Sequence, residues 1–454
     1  MSKAIGGQIT LKLILKLIWI GLLIEIIILA IIKPYVTDFV IVSTMAVSLH
    51  ALYTMALLIA FKNKYYVIFF GAFFARLAVM LWDLYAKHIF VLPNTGHDAV
   101  AFYGSALAIS QNLDLLNVSI RGEYFAKYNG LLFHWIGPQQ MFGHYINVLI
   151  GLSVVFIIYE ILMMLELKPR VVKLVVLLSA FFPASVLMSA IFLREIVITF
   201  FVVCSLYFFI RWFKTGLTIE MLLALAMLYL ASIFHSGVIG IFIGYTLIFM
   251  FYNQSDKAFR YSSKTIFVLL FLAFIVFFTV TQFNELFLGH FIGRDDEFRD
   301  VYSVTDISDR SRVGGSVYLE SIFIDGPIDF IIYGPIKAFY FLTAPLPMDW
   351  RGSRDIFTFV SDSVLYLGTI YYLIKNIHNL KDKKVLIIGL VLMLISVSLI
   401  FGIGTYNAGT AMRHRHKIVP IFLIVLALIM DSKHTVAKEI QGFSKNRKAL
   451  SSRA

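Results

Sequence analysis

Runs of about twenty apolar residues recur along the whole chain, and that is the length an α-helix needs to cross the hydrocarbon core of a bilayer. The run at 385–404, VLIIGLVLMLISVSLIFGIG, carries no charge at all. In lipid every backbone amide and carbonyl must find its partner inside the protein, so such runs dictate helices. Composition agrees. The 454 residues are 60% hydrophobic and 15% charged, with a mean hydropathy of +0.85, whereas a soluble domain carries about a quarter charged residues. The first run is too long for a cleaved signal peptide and no small-x-small site follows it. The single cysteine, Cys204, lies in an apolar run and excludes an internal disulfide or a cysteine-based metal site.

The fold expected is an all-α integral membrane protein with about 12 transmembrane helices, near 11–32, 37–61, 65–85, 141–163, 171–192, 196–213, 217–234, 237–252, 265–282, 356–375, 385–404 and 417–431. Lysines fall in or beside every second connection: Lys12, Lys62, Lys64, Lys168, Lys173, Lys214, Lys257, Lys264, Lys381, Lys383 and Lys384, with more in the tail. By the positive-inside rule these connections and both termini are cytoplasmic. Membrane orientation and anionic lipid thus account for the net charge of +12, and nucleic acid is not an expected partner.

The complementary connections are then extracytoplasmic, and two are long, 86–140 and 283–355. Their cations are mostly arginine, whose planar fork holds phosphate or carboxylate in two parallel bonds. In the first loop, Asn94, Thr95 or Asp98 could cap a helix over about 97–110; alternatively Asp98, with His97 beside it, is a carboxylate base at the membrane surface. Arg194 and Glu195 sit between two spans with almost no loop. They read either as a snorkelling pair or as a grip on a lipid phosphate. The second loop holds RSRVGGS, in which Arg310 and Arg312 precede a glycine turn able to approach a phosphate. Four prolines between 326 and 347 suggest a broken segment, re-entrant or interfacial, that closes the site. Arg76 and Asp83, seven residues apart on one helix face, read as a pair or a cavity lining. Finally, TYNAGTAMRHRHK at 405–417 places Arg413, His414, Arg415 and His416 between two hydrocarbon runs, against the usual distribution of positive charge. It reads as an anion pocket at the surface of the helical bundle.

The order of these features resembles the GT-C superfamily, polytopic glycosyltransferases that take sugars from polyprenyl-phosphate carriers. The matching residues are the 65–85 span, Asp98 upstream of Tyr103, INVLIGLSVVFIIYEI after the first loop, and the PASVLMSAIFLREIVITFF hairpin. Asp98 and Tyr103 are five apart where that family often has four, and no second acid follows Asp98. YNAGTAMRHR also resembles segments of membrane proteins from bacterial surface-polysaccharide clusters. The resemblance implies a seven-helix core module at 65–282, followed by a second external loop at 283–355, C-terminal helices at 356–431 and a basic cytoplasmic tail at 432–454; the two extra helices at 1–64 depart from the family's plan.

The function this implies is transfer of a sugar or oligosaccharide from a polyprenyl-phosphate or polyprenyl-pyrophosphate carrier to a glycan acceptor, on the outer side of the plasma (inner) membrane. Asp98 and His97 would serve the acceptor, while Arg194, Glu195, Arg310, Arg312, Arg413, His414, Arg415 and Tyr103 would hold the donor. No motif calls for a nucleotide cofactor, and a divalent metal stays open as an option. An O-antigen or capsule repeat-unit polymerase uses the same lipid chemistry. A lipid-linked oligosaccharide flippase is the alternative from another class, and it would concentrate ionisable groups at mid-membrane.

Overall fold

A computed structural model describes residues 11–61, 63–253, 258–259, 316–319, 322, 327–380 and 383–432. Within them the architecture is helical throughout, save a two-residue antiparallel ribbon pairing Tyr252–Asn253 with Ala258–Phe259. Seven helices among the described residues are long and apolar enough to cross a membrane. Six are α1 (Leu11–Ile32), α2 (Phe39–Ala60), α3 (Tyr66–Tyr85), α6 (Gln140–Met164), α9 (Glu195–Thr215) and α15 (Lys384–Gly404). The seventh, Asp355–Asn379, is composite: α13 (Ser353–Thr358), a π turn at Phe359–Ser363 and α14 (Val364–Asn376). Shorter apolar helices are α10 (Thr218–Phe234), Ser236–Phe251, which contains α11 (Gly240–Phe251), and α17 (Val419–Ser432). The apolar run at 265–282 lies outside the described residues.

The expected span at 171–192 is broken in two. α7 (Pro169–Phe181) and α8 (Pro183–Ala190) meet at 45°, because Pro183 lacks the amide that would continue the first helix. The freed carbonyls are taken by Arg76, which reaches across from α3 to donate to Ala180 O at 2.8 Å and Ser179 O at 3.3 Å. Arg76 therefore does not pair with Asp83. That carboxylate instead meets His144 Nε2 at 3.1 Å and Lys87 Nζ at 3.2 Å. Conversely, the proline-rich segment expected to be irregular forms α12 (Pro327–Thr343), which runs through Pro335 without a break. The helix packs so closely on α15 that a side chain at Gly402 would lie 2.9 Å from its backbone; that packing offsets the one hydrogen bond that Pro335 removes.

α6 is the centre of the molecule. It is buried on nearly every face, as a helix with apolar residues all round requires. α3, α8 and α9 pack around it, and α1 and α2 attach through Trp19 Nε1 donating to Ser153 Oγ and His50 bonded to the Tyr145 hydroxyl. The bundle has two chemically different ends. At one, Asp431 accepts the backbone amide of Lys168 at 2.8 Å and pairs with Lys383, so three separate connections converge. At the other, α4 (His97–Gln111) and α5 (Glu123–Ile136) from the first long loop cover the arginines.

Candidate functional site

The basic segment at 405–417 forms α16 (Ala408–His416). Asn407 caps it, its side chain accepting the Gly409 amide at 2.8 Å, and the four basic residues fill the last turn, where they complement the helix dipole. Ser316, at the end of the RSRVGGS stretch, docks on this cap: its hydroxyl donates to Asn407 Oδ1 at 3.1 Å and its carbonyl accepts the Ala408 amide at 3.0 Å. The sequence reading of 310–316 thus meets the basic helix at Ser316. Arg310 and Arg312 lie outside the described residues.

The segment does not sit at the surface of the bundle as expected. Arg415, His416 and Lys417 are fully buried. Such burial holds only where each charge has partners, and successive residues of α16 find theirs on different neighbours. Arg413 reaches α4 and α9, forming a close ion pair with Asp98 and donating to Glu195 Oε1 from Nη2 at 2.8 Å and Nε at 3.2 Å. Arg415 points the other way, to the Ala344 and Phe341 carbonyls at 2.6 and 3.2 Å and to the buried Asp362 at 2.5 Å. It ties the end of α12 to the π turn. His416 bonds Thr199 Oγ1 at 3.1 Å, and Lys417 donates to His414 Nδ1 at 2.7 Å. His414 in turn stacks on Phe401 and meets His235 edge to face, with ring centroids 4.9 and 4.8 Å away.

Asp98 is not a helix cap. α4 begins one residue earlier, and Asp98 stands in its first turn, where it bridges Arg413 and Arg121, the latter at 2.7 Å. Burial pushes the Asp98 carboxyl up, but the two guanidiniums outweigh it and hold the group below the usual carboxylate range. Burial, together with the charges of Lys417, Arg413 and Arg194, pushes His414 well below its ordinary value, so it is neutral at pH 7. His97 opens α4, and its side chain is outside the described set. Tyr103 packs edge to face against Phe133 and Phe192.

Arg194 and Glu195 do not pair with one another as a snorkelling couple would. Glu195 is consumed by Arg413, and its Oε2 accepts no hydrogen bond among the described residues. The Arg194 guanidinium lies 5.5 Å over the Phe102 ring, and its buried Nε is likewise without a hydrogen-bond partner. An unused donor and an unused acceptor on adjacent residues are costly unless something occupies both. Against the two carboxylates of this cluster stand Arg413 and Arg194, with Arg121 exposed at its edge and Lys417 buried beside it, its pKa pushed well below the ordinary lysine value by burial and by the neighbouring guanidiniums. Arg194 is thus an uncommitted guanidinium among the described residues in a largely desolvated place, which suits an anion. Lys417 and His235 were missed in the sequence reading; the one signal for Lys417 was its place directly after the RHRH run. Among the described residues no group of three or more His, Cys, Asp or Glu is placed to hold a metal.

No known family matches the chain, and no curated protein or solved structure is detectably similar to it.

Proposed function

We propose that this chain is a membrane glycosyltransferase of about twelve spans, GT-C-like in plan. It takes a sugar or oligosaccharide from a polyprenyl-(pyro)phosphate carrier and places it on a surface-glycan acceptor. The observation that carries the reading is Arg194: a half-buried guanidinium with no ion-pair or hydrogen-bond partner among the described residues, next to the fully buried Lys417 and the carboxylates of Glu195 and Asp98. The clustering of lysines in the complementary connections supports an extracytoplasmic site in the plasma (inner) membrane.

In this reading the bond from the anomeric carbon to the carrier phosphate oxygen breaks as the acceptor hydroxyl oxygen attacks that carbon from the opposite side. Arg194 neutralises the departing phosphate, the electrostatic share of catalysis. Asp98, kept ionised by Arg121 and Arg413, orients the acceptor hydroxyl and receives its proton. Arg413 sets the spacing between the two carboxylates rather than binding phosphate alone, and Arg415 fixes α16 from behind.

Two measurements test this. Removing the protein should cause a lipid-linked sugar to accumulate on the outer leaflet. A single-sugar carrier favours transferase, a complete repeat unit favours the polymerase reading, and accumulation confined to the cytoplasmic leaflet sinks both in favour of a flippase. Arg194→Lys should lower turnover about a hundredfold, because an ammonium cannot reproduce the fork, while thermal stability stays unchanged. Wild-type turnover in Arg194→Ala would overturn the phosphate role.

A further inference from the structure

At the lysine-rich end, away from the Arg194–Arg413 cluster, α1, α6 and α9 diverge and leave a half-open cavity of about 350 Å³, within the range of small-ligand sites. Its floor is apolar, built from Leu15, Phe156, Ile157, Cys204 and Phe208. Its rim carries Lys12, Glu160, Tyr207 and Arg211. The Tyr207 ring lies between the two cations, with Lys12 Nζ and the Arg211 guanidinium 6.0 and 5.8 Å from its centroid. Lys12 is exposed and only weakly engaged: Glu160 Oε2 is 3.8 Å away and the Tyr207 hydroxyl 3.5 Å. Arg211 uses one nitrogen on Glu220 at 2.6 Å and keeps further donors. Glu160 makes no hydrogen bond among the described residues, and its nearest cation stands beyond hydrogen-bond range.

An apolar trough opening between membrane helices, with charge at its mouth, matches the shape of one lipid: chain in the trough, headgroup at the rim. The rim also selects the headgroup. Two cations with spare donors suit a phosphate diester. A carboxylate with unused acceptors suits a group that is positively charged and still carries N–H bonds. We propose that this trough is a binding site for a glycerophospholipid with a primary-amine headgroup, in the leaflet at the lysine-rich end. The phosphate lies between Lys12 and Arg211, and the ammonium donates to Glu160. A quaternary amine has no proton to donate there, and an uncharged polyol headgroup offers Glu160 no charge.

The test is native mass spectrometry of the delipidated full-length protein in detergent micelles, titrated with phosphatidylethanolamine, phosphatidylcholine and phosphatidylglycerol of identical acyl chains. One saturable adduct is expected, with the ethanolamine lipid bound about fivefold more tightly than the other two, the upper end for a partly exposed ion pair. Glu160→Gln should erase that preference while retaining binding. Lys12→Ala combined with Arg211→Ala should weaken all three lipids alike, and Cys204→Trp, which fills the trough, should remove the adduct. Equal affinities for the three lipids in the wild type would overturn the proposal, as would a preference that survives Glu160→Gln. The absence of any saturable adduct would show that the chain's own residues cover the trough, and would overturn it too.

Discussion

Arg413 and Arg415 are two residues apart and identical in chemistry, yet they do different things because α16 points them at different neighbours. Arg413 faces Asp98 and Glu195; Arg415 faces carbonyls and Asp362. Stability should follow burial. Glu195 is almost wholly buried, so Glu195→Gln should cost about 2–3 kcal/mol by leaving the buried Arg413 with only Asp98 to neutralise it. Asp98 is partly open to solvent, and Asp98→Asn should cost only about 1–2 kcal/mol. The pH dependence has a definite sign. The Asp98 carboxyl is held low in the folded state, so its pairing stabilises the protein fully above the ordinary carboxylate range and is lost as pH falls through the lowered value. The melting-temperature gap between wild type and Asp98→Asn should therefore be largest near neutrality and close in acid. A gap that is constant with pH would show that the Asp98 pairs contribute nothing.

At the scale of elements, close helix approach governs how α11 and α15 meet. A side chain at Gly240 would lie 2.6 Å from the Val397 Cα, and one at Gly244 would lie 2.6 Å from the Met393 Cα. The two glycines are four apart, the small-xxx-small spacing that lets membrane helices touch along their backbones. Gly244→Val should destabilise the detergent-solubilised protein by about 1–3 kcal/mol through overpacking. The same change at Gly368, where a side chain meets open space, should be close to neutral, and equal melting curves for the two variants would refute the contact. That spacing stood in the sequence and was legible, although hydropathy alone drew attention to the span. The helices at 66–85 and 140–164 were readable to within a few residues because their signal is local. The break at Phe182 and the unbroken helix through Pro335 were not readable, since each proline's effect depends on what lies across from it.

For the whole molecule, the separation of a lysine-rich end from an arginine-rich end makes orientation testable. Single cysteines introduced into a Cys204→Ser background at Asn117 and Gly352 should be labelled from the outside of intact cells by a membrane-impermeant maleimide. Cysteines at Gly216 and Asn379 should be labelled only after the membrane is opened. The reverse pattern would place the arginine cluster in the cytoplasm and end the proposal of an external carrier-lipid site. The sequence by itself determined that the chain is a helical membrane-type protein, because hydropathy and charge act residue by residue and add along the chain. Only the tertiary structure decided which carboxylate answers which cation. Asp83 joined His144 rather than Arg76, Glu195 joined Arg413 rather than Arg194, and Arg194 was left unpaired among the described residues. A buried charge takes whichever partner the packing of distant helices brings within about 3 Å, and no local pattern in the sequence encodes that distance.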